Sequence, residues 1–160
     1  MPHPSYRLLF CVCCSWGRGS RFNYTYYRSD PHGTGKQLSL RVSPDDSTPI
    51  HRSIRDVDNE GIQAISFPRS SNSSSDSSRS GSSSSKSAAE AQKAFVRYLQ
   101  KTKNTVCGRH PIGVLLSALA RLEETGGVKA ECRFTRYEQS SQCFSVRDSS
   151  VSYASAVVRF

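Results

Sequence analysis

The chain has 160 residues, with 22 Lys and Arg against 13 Asp and Glu, so its formal net charge is +9. The basic residues are scattered singly from Arg7 to Arg159 rather than gathered in a run of five or more, which argues against a nucleic-acid-binding surface in spite of the charge. No stretch approaches the ~18 apolar residues that a membrane-spanning helix needs, so we expect no membrane partner.

The first 65 residues predict two strands and a helix. Residues 8–14 are almost continuously apolar, which favours a buried strand, and residues 22–27 predict a second strand rich in aromatic side chains. Residues 28–49 are rich in Gly, Pro, Asp and Ser and predict a loop. Residues 50–65 return to helical spacing through Ile50, Ile54, Val57 and Ile62 and predict a short surface helix, although Gly61 weakens the pattern.

Residues 69–87 are a serine-rich insertion, since 13 of these 19 residues are Ser. The insertion offers nothing apolar to offset the entropy of ordering it, so we expect a flexible loop. A phosphorylation platform is the alternative, because added phosphates would attract neighbouring Arg and Lys.

Two helices are predicted in the second half of the chain. Residues 88–103 combine strong helix formers with an apolar face made of Ala91, Phe95, Tyr98 and Leu99. Residues 110–125 predict a second helix, which Gly126 and Gly127 end by allowing left-handed backbone angles. The two helices form a hairpin bent around Cys107.

Two strands are predicted to follow the hairpin. Ala130, Cys132 and Phe134 alternate with polar residues, which is typical of a half-buried strand, and residues 152–160 predict the last strand. Six cysteines without a regular disulfide spacing favour a reducing compartment. We therefore expect a cytoplasmic protein, with the nucleus as a second location.

Cys107 stands where a helix begins. Pro111 suits a first helical position, and Ile112, Leu115, Leu116, Leu119 and Leu122 then repeat at helical spacing. Cys107 is thus expected to face unpaired backbone N–H groups and the positive end of the helix dipole, with Arg109 and His110 beside it. Such surroundings favour thiolate over thiol.

A metal site around Cys107 is incomplete on the sequence. Cys107 and His110 have a C-x-x-H spacing, but a catalytic zinc or iron site needs about three protein ligands, and no spacing ties another histidine to this segment. The structural alternatives are a buried, inert Cys107, a His110 that caps the helix, and an Arg109 that pairs with a carboxylate. Asp148 is expected to accept backbone N–H bonds in a turn.

Three stretches of the chain resemble the Memo family. They are Asn104-Thr105-Val106-Cys107-Gly108-Arg109-His110-Pro111-Ile112-Gly113, Tyr137-Glu138-Gln139-Ser140-Ser141-Gln142-Cys143 and Asp148-Ser149-Ser150-Val151-Ser152-Tyr153-Ala154. A weaker match at Cys14-Ser15-Trp16-Gly17 and Arg21-Phe22-Asn23-Tyr24-Thr25-Tyr26-Tyr27 resembles that family's Asp-Phe-Cys-His-Trp-Gly segment and the aromatic run after it. The order and spacing of these motifs agree with the C-terminal half of the family's domain.

The resemblance implies an α/β fold similar to the class III extradiol dioxygenases, with a mixed sheet and flanking helices. Residues 14–160 would be the C-terminal half of that domain and residues 1–13 a foreign or mis-joined segment. The resemblance implies that the cysteine matching Cys107 lines a pocket with two histidines from the N-terminal half, and that the full-length family can hold Fe or Cu. Here Val12 and Ser15 replace an Asp and a His of the family pattern, so we expect no cofactor in this chain.

These observations lead to one functional hypothesis and two alternatives. We expect a truncated Memo-like binding or signalling protein, connected by resemblance with cell motility and redox signalling, which has no turnover of its own and takes a protein or phosphopeptide partner. The resemblance assigns its incomplete pocket to Trp16, Cys107, Arg109, His110, Ser140 and Tyr153, with Cys107 as a metal ligand of an incomplete site. The alternatives are a dioxygenase-like oxidoreductase that holds Fe or Cu through Cys107 and His110, and a basic nucleic-acid-binding protein.

Overall fold

The computed structural model describes the backbone of Ser5–Phe10, Tyr26–Tyr27 and Lys36–Gln37, and residues 49–68, 86–145 and 148–159 with their side chains. In chain order these residues form β1 (Ser5–Phe10), β2 (Tyr26–Tyr27), β3 (Lys36–Gln37), α1 (Ile50–Ile65), α2 (Ala88–Thr102), α3 (Arg109–Gly126), β4 (Glu131–Gln139) and β5 (Ser152–Arg159). The predicted features at Val12, Ser15 and Trp16, the rest of residues 11–25, and residues 69–85 lie outside the described residues.

Helix α1 occupies the residues that its apolar spacing predicts. It buries Ile50, Ile54, Val57 and Ile65 along one face. Gly61 lies where α1 meets α2, because a Cβ atom at this position would be 2.8 Å from Cζ of Tyr98. The glycine that weakens the helical pattern is therefore required by a close approach between two helices.

The C-terminal end of α1 receives its cap from a distant lysine. No basic residue lies in the last turn of this helix. Instead Lys86 Nζ donates to the carbonyl oxygens of Gln63, Ala64 and Ser66 over 2.8, 2.5 and 3.1 Å. These carbonyls would otherwise have no helical partner, so Lys86 satisfies the end of a helix that precedes it by 20 residues or more.

Helices α2 and α3 form the predicted hairpin. Helix α2 begins with a capping box, in which Ser87 Oγ accepts from the Glu90 N–H and the Glu90 carboxylate accepts from the Ser87 N–H. It ends at Lys103, which adopts left-handed backbone angles with φ of 53°. Helix α3 ends before Gly127, whose φ of 62° provides the left-handed cap that the sequence predicts.

The hairpin, α1 and the sheet share one core. Helix α3 buries Ile112, Leu116 and Leu119, whereas Leu122 of the predicted apolar face is 39% exposed. Strand β5 alternates as a half-buried strand should, since Ser152, Ala154, Ala156 and Val158 all face the helices.

The described sheet is antiparallel where a mixed sheet was expected. Strand β5 lies between β1 and β4 and pairs antiparallel with both, and β2 pairs antiparallel with β3. The predicted alternation ends at Thr135, but strand β4 continues for four more residues, to Gln139. A register shift between Phe134 and Arg136 changes which residues face inward, so the alternation does not continue through the second half of the strand. Phe67 adds an isolated antiparallel bridge to Cys132. The three helices share one core with strands β4 and β5, and this architecture is consistent with the α/β class.

Among the described residues, no helix is both long and apolar enough to cross a lipid bilayer.

Candidate functional site

The loop between α2 and α3 presents Cys107 at the surface. We call residues 103–108 the cysteine loop. Val106 is 1% exposed and anchors this loop in the core, whereas the neighbouring Cys107 is exposed. The Val106 N–H donates to the Asn104 carbonyl over 3.0 Å, and the Arg109 N–H donates to the Val106 carbonyl over 3.1 Å. The thiol is therefore held on a tight, hydrogen-bonded turn rather than buried.

Two exposed basic side chains stand beside this thiol. Arg109 and His110 are both exposed at the start of α3, whose first turn contains no acidic residue and no side-chain cap. The backbone donors of this turn are largely engaged: the Arg109 and Ile112 N–H groups bond to the Val106 and Gly108 carbonyls, and Pro111 has no N–H. The positive character of the site thus comes mainly from side chains.

A buried carboxylate lies behind the cysteine loop. Asp58 of α1 is 1% exposed. Its Oδ1 accepts from Asn104 Nδ2 over 3.3 Å, and the same Nδ2 lies 2.6 Å from the hydroxyl of Tyr98. Asn104 is also held through its backbone N–H, which donates to Thr102 Oγ1 over 3.2 Å. The start of the cysteine loop is therefore fixed from two helices.

The other oxygen of Asp58 accepts from strand β4. The Tyr137 hydroxyl donates to Asp58 Oδ2 over 2.7 Å and accepts from Gln139 Nε2 over 3.0 Å. Ser152 Oγ lies 3.2 Å from the same hydroxyl, and Gln139 Nε2 also donates to the His51 carbonyl. Burial, and next the nearby Asp58 carboxylate, raise the pKa of Tyr137 far above its ordinary value of 10.0. Tyr137 is thus a neutral hydrogen-bond donor.

Serine side chains close the turn between β4 and β5. We call residues 140–145 and 148–151 the serine hairpin. The Ser140 N–H donates to the Val151 carbonyl over 2.8 Å, and the Val151 N–H donates to Ser140 Oγ over 2.9 Å. Ser141 Oγ donates to the Ser149 carbonyl, and Ser150 Oγ donates to the Ser141 carbonyl, each over 2.7 Å. The serines of two of the motifs therefore have a structural role.

The predicted role of Asp148 as a turn acceptor agrees with its geometry. Its Oδ2 accepts from the N–H groups of Phe144 and Ser145, each over 2.8 Å. These bonds, the one from Ser145 first, lower the pKa of Asp148. Asp148 therefore shapes the tip of the serine hairpin.

The serine hairpin also docks on the start of α1. The His51 N–H donates to the carbonyl of Cys143 over 3.1 Å, and the ring of Phe144 lies edge-on to the imidazole with centroids 5.3 Å apart. Cys143 is fully buried, and burial, followed by the Asp148 charge, raises the pKa of its thiol to about 11. The thiol of Cys143 is therefore a packing group at neutral pH.

The predicted site residues fall into separate places. Cys107, Arg109 and His110 are exposed in one short stretch where α3 begins, but Ser140 closes the serine hairpin and Tyr153 is 51% exposed on the outer face of β5. The sequence prediction missed the hydrogen-bonded set around the buried Asp58 carboxylate, which comprises Asp58, Tyr98, Asn104, Tyr137, Gln139 and Ser152. Four of these six residues lie inside the motif stretches. The motifs therefore contained most of the set but did not reveal Asp58, the carboxylate that joins its members.

The described residues do not fit an Fe or Cu centre. Among them, no group of three His, Cys, Asp or Glu side chains is close enough to hold a metal ion. Cys107 and His110 alone provide two donors, and a mononuclear catalytic site needs about three.

A groove lies at the opposite end of the helical hairpin. It has a volume of about 300 Å³ and is lined by Lys86, Ser87, Glu123, Val128 and Lys129 together with Pro68, Gly127 and Ala130. Helix α3 has 18 residues and is therefore about 27 Å long, so this groove is far from Cys107. The Glu123 carboxylate already accepts from the Ala88 N–H over 3.0 Å and so occupies the N-terminus of α2.

Comparisons with known proteins agree with the motifs. A family model described as Memo-like protein matches residues 14–157. "Protein MEMO1" of Xenopus laevis is 37% identical over 145 residues, and that of Homo sapiens is 34% identical over 145 residues; each match covers 91% of this chain and 35% of the relative. "MEMO1 family protein MHO1" of Saccharomyces cerevisiae is 30% identical over 155 residues, which covers 40% of that protein. The chain thus spans little more than a third of the length of these relatives, and it belongs to the Memo family.

Proposed function

We propose that this chain is a binding protein of the Memo type, without turnover of its own, in which Cys107, Arg109 and His110 form one wall of the binding site. One observation supports this proposal above the others: an exposed thiol lies between a buried anchor, Val106, and two exposed basic side chains. A surface residue held this firmly is suited to recognition, because little conformational entropy is lost when a partner binds.

The charge around Cys107 favours an anionic ligand group. Lys103, Arg109 and His110 are exposed within eight residues of chain, and the first turn of α3 has no acidic residue to oppose an anion. A guanidinium can bind a phosphate through two parallel hydrogen bonds, and a helix N-terminus adds favourable potential. A phosphotyrosine peptide, the partner class that the family resemblance implies, has the matching chemistry.

The proposed pocket is incomplete within the described residues. Trp16 belongs to the proposal through the family resemblance alone and lies outside the described residues. A one-sided site buries little of its ligand, so we expect weak binding with a Kd of roughly 0.1–1 mM. A cytoplasmic location is part of the same proposal, and the described cysteines 107, 132 and 143 form no disulfide.

Fluorescence anisotropy with a phosphotyrosine peptide and its unphosphorylated twin tests the proposal. The phosphorylated peptide should bind at least tenfold more tightly, and Arg109→Gln should abolish the difference. Arg121→Gln is the matched control, since Arg121 is an exposed residue of the same helix whose partner is Glu124 over 3.4 Å. Equal binding of the two peptides would contradict the proposal.

A metal-dependent oxidoreductase is the alternative, and metal content decides it. The purified chain, dialysed against a weak chelator, should retain iron and copper well below one equivalent by mass spectrometry. One equivalent of either metal in the parent chain, lost in Cys107→Ser, would replace the binding proposal with a redox one.

A further inference from the structure

We infer that Asp58 is a positioning residue, whose carboxylate fixes the cysteine loop with one oxygen and the serine hairpin with the other. The inference concerns how the site is built, and its relevance to binding rests on the proposed function. Asp58 acts on the site through Asn104 on one side and Tyr137 on the other.

The first arm runs from Asp58 to the thiol. Asn104 follows Lys103, whose left-handed angles are unfavourable for a residue with a side chain, so the backbone reversal must be held by its surroundings. Asn104 is held by Asp58 Oδ1, the Tyr98 hydroxyl and Thr102 Oγ1. The Asn104 carbonyl then accepts from Val106, the residue immediately before Cys107. Each step from the carboxylate to the exposed cysteine is therefore a hydrogen bond or a single peptide unit.

The second arm runs from Asp58 to the serine hairpin. Tyr137 donates to Asp58 Oδ2 and accepts from Gln139, which also donates to the carbonyl of His51. Gln139 is the last residue of β4, and Ser140 begins the hairpin. The carboxylate thus fixes the end of the strand from which the hairpin departs.

Local side-chain packing does not explain why a carboxylate occupies this position. Asp58 lies on the buried face of α1 beside Val57, where an apolar residue of similar volume would avoid the cost of removing a charge from water. Its two acceptor oxygens meet donors that lie 46 and 79 residues away in the sequence. A single group that must accept from both directions is what a carboxylate provides and an apolar side chain does not.

Hydrogen exchange on the full chain tests the two arms separately, and no ligand is needed. Asp58→Ala, which removes both acceptor oxygens, should speed amide exchange at least tenfold both in residues 103–109 and in the serine hairpin, while Leu116 and Leu119 in the middle of α3 keep their protection. Asn104→Ala should affect only the first segment, and Tyr137→Phe only the second. Asp56→Ala is the matched control, because Asp56 is an exposed residue on the same helix.

The pattern of exchange decides between positioning and general destabilisation. Uniformly faster exchange across α3 and both loops, or unchanged exchange in either loop, would overturn the inference. The phosphopeptide assay supplies a separate readout, in which Asp58→Ala should weaken binding about tenfold. If the parent chain binds no phosphopeptide but the exchange pattern holds, the proposed function fails and the positioning role stands.

Discussion

The hydroxyl of Tyr137 donates to Asp58 Oδ2 over 2.7 Å and so joins two residues that are 79 positions apart. Asp58 is 1% exposed, so its carboxylate has little access to bulk water. The bond connects the sheet directly to α1.

Tyr137→Phe should lower the free energy of unfolding by roughly 1–3 kcal/mol, because it leaves a buried carboxylate oxygen without its donor. Urea denaturation followed by circular dichroism measures the change. Tyr153→Phe is the control, since Tyr153 is 51% exposed and should change stability by less than about 0.5 kcal/mol. Equal losses in the two variants would show that the buried bond contributes nothing specific.

Gly61→Ala should destabilise the protein although alanine is the better helix former. The added Cβ would lie 2.8 to 3.0 Å from ring and hydroxyl atoms of Tyr98, whose hydroxyl is held by Asn104. Overpacking of this kind costs about 1–3 kcal/mol. Alanine gains about 1 kcal/mol in helix propensity over glycine, so a steric cost toward the upper end of the overpacking range gives a net loss of stability. Thermal melts test this, with Gly113→Ala as the control because, among the described residues and apart from the adjacent residues and backbone of its own helix, no atom lies within 4 Å of a Cβ at position 113. A Gly61→Ala variant as stable as Gly113→Ala would contradict the contact.

Ser140→Ala should loosen the serine hairpin, and Ser149→Ala should not. Ser140 Oγ accepts from the Val151 N–H, whereas Ser149 contributes its backbone carbonyl, which the substitution keeps. The loss expected for Ser140→Ala is about 0.5–1.5 kcal/mol, the usual net value of one such bond. Denaturant midpoints of the two variants, compared with the parent, provide the measurement. The reverse order of stabilities would disprove the hydroxyl's role.

Alkaline pH should reduce stability through two buried thiols. Burial raises the pKa of Cys132 and of Cys143 from 9.0 to about 11. A group whose pKa is higher in the folded state contributes stability below its unfolded pKa, and that stability declines as pH rises through the window from about 9 to 11. Each thiol contributes a slope of about 1.4 kcal/mol per pH unit there. Lys86, whose pKa burial lowers, acts in the opposite sense.

Variants separate the thiols from the other groups that titrate in this range. Cys132→Ala and Cys143→Ala should each flatten the dependence of the unfolding free energy on pH between 9 and 11, and the double variant should flatten it further. Urea unfolding at half-unit steps from pH 8 to 11, under reducing conditions, gives the slopes. A double variant with the parent's slope would exclude the thiols as its source.

The helices could be predicted from the sequence because their signals are local. Isoleucine spacing defines α1, and the left-handed glycine at position 127 ends α3. The end of β4 could not be predicted in the same way. The register shift between Phe134 and Arg136 moves the inward positions from Cys132 and Phe134 to Tyr137 and Gln139, so the alternation that marks the strand is lost halfway along it.

The exposed part of the site was predictable, and its buried support was not. Cys107, Arg109 and His110 lie together because they are close in the sequence. Asp58 and Ser53 are the polar residues on the buried face of α1, and the partners of Asp58, Asn104 and Tyr137, come from distant elements. The sequence pattern of α1 contains no information about which hydrogen-bond donors from other elements will reach the Asp58 carboxylate.

The contacts of Lys86 affect how easily the serine-rich insertion can change in length. Lys86 closes the end of α1, and Phe67 pairs with Cys132, so both boundaries of the serine-rich segment are fixed by bonds that do not involve its interior. The entropy of closing a loop grows only with the logarithm of its size, and doubling the number of residues costs about 0.6 kcal/mol. If the residues between these two anchors form the flexible loop that their sequence predicts, serines can be gained or lost there during evolution at little thermodynamic cost.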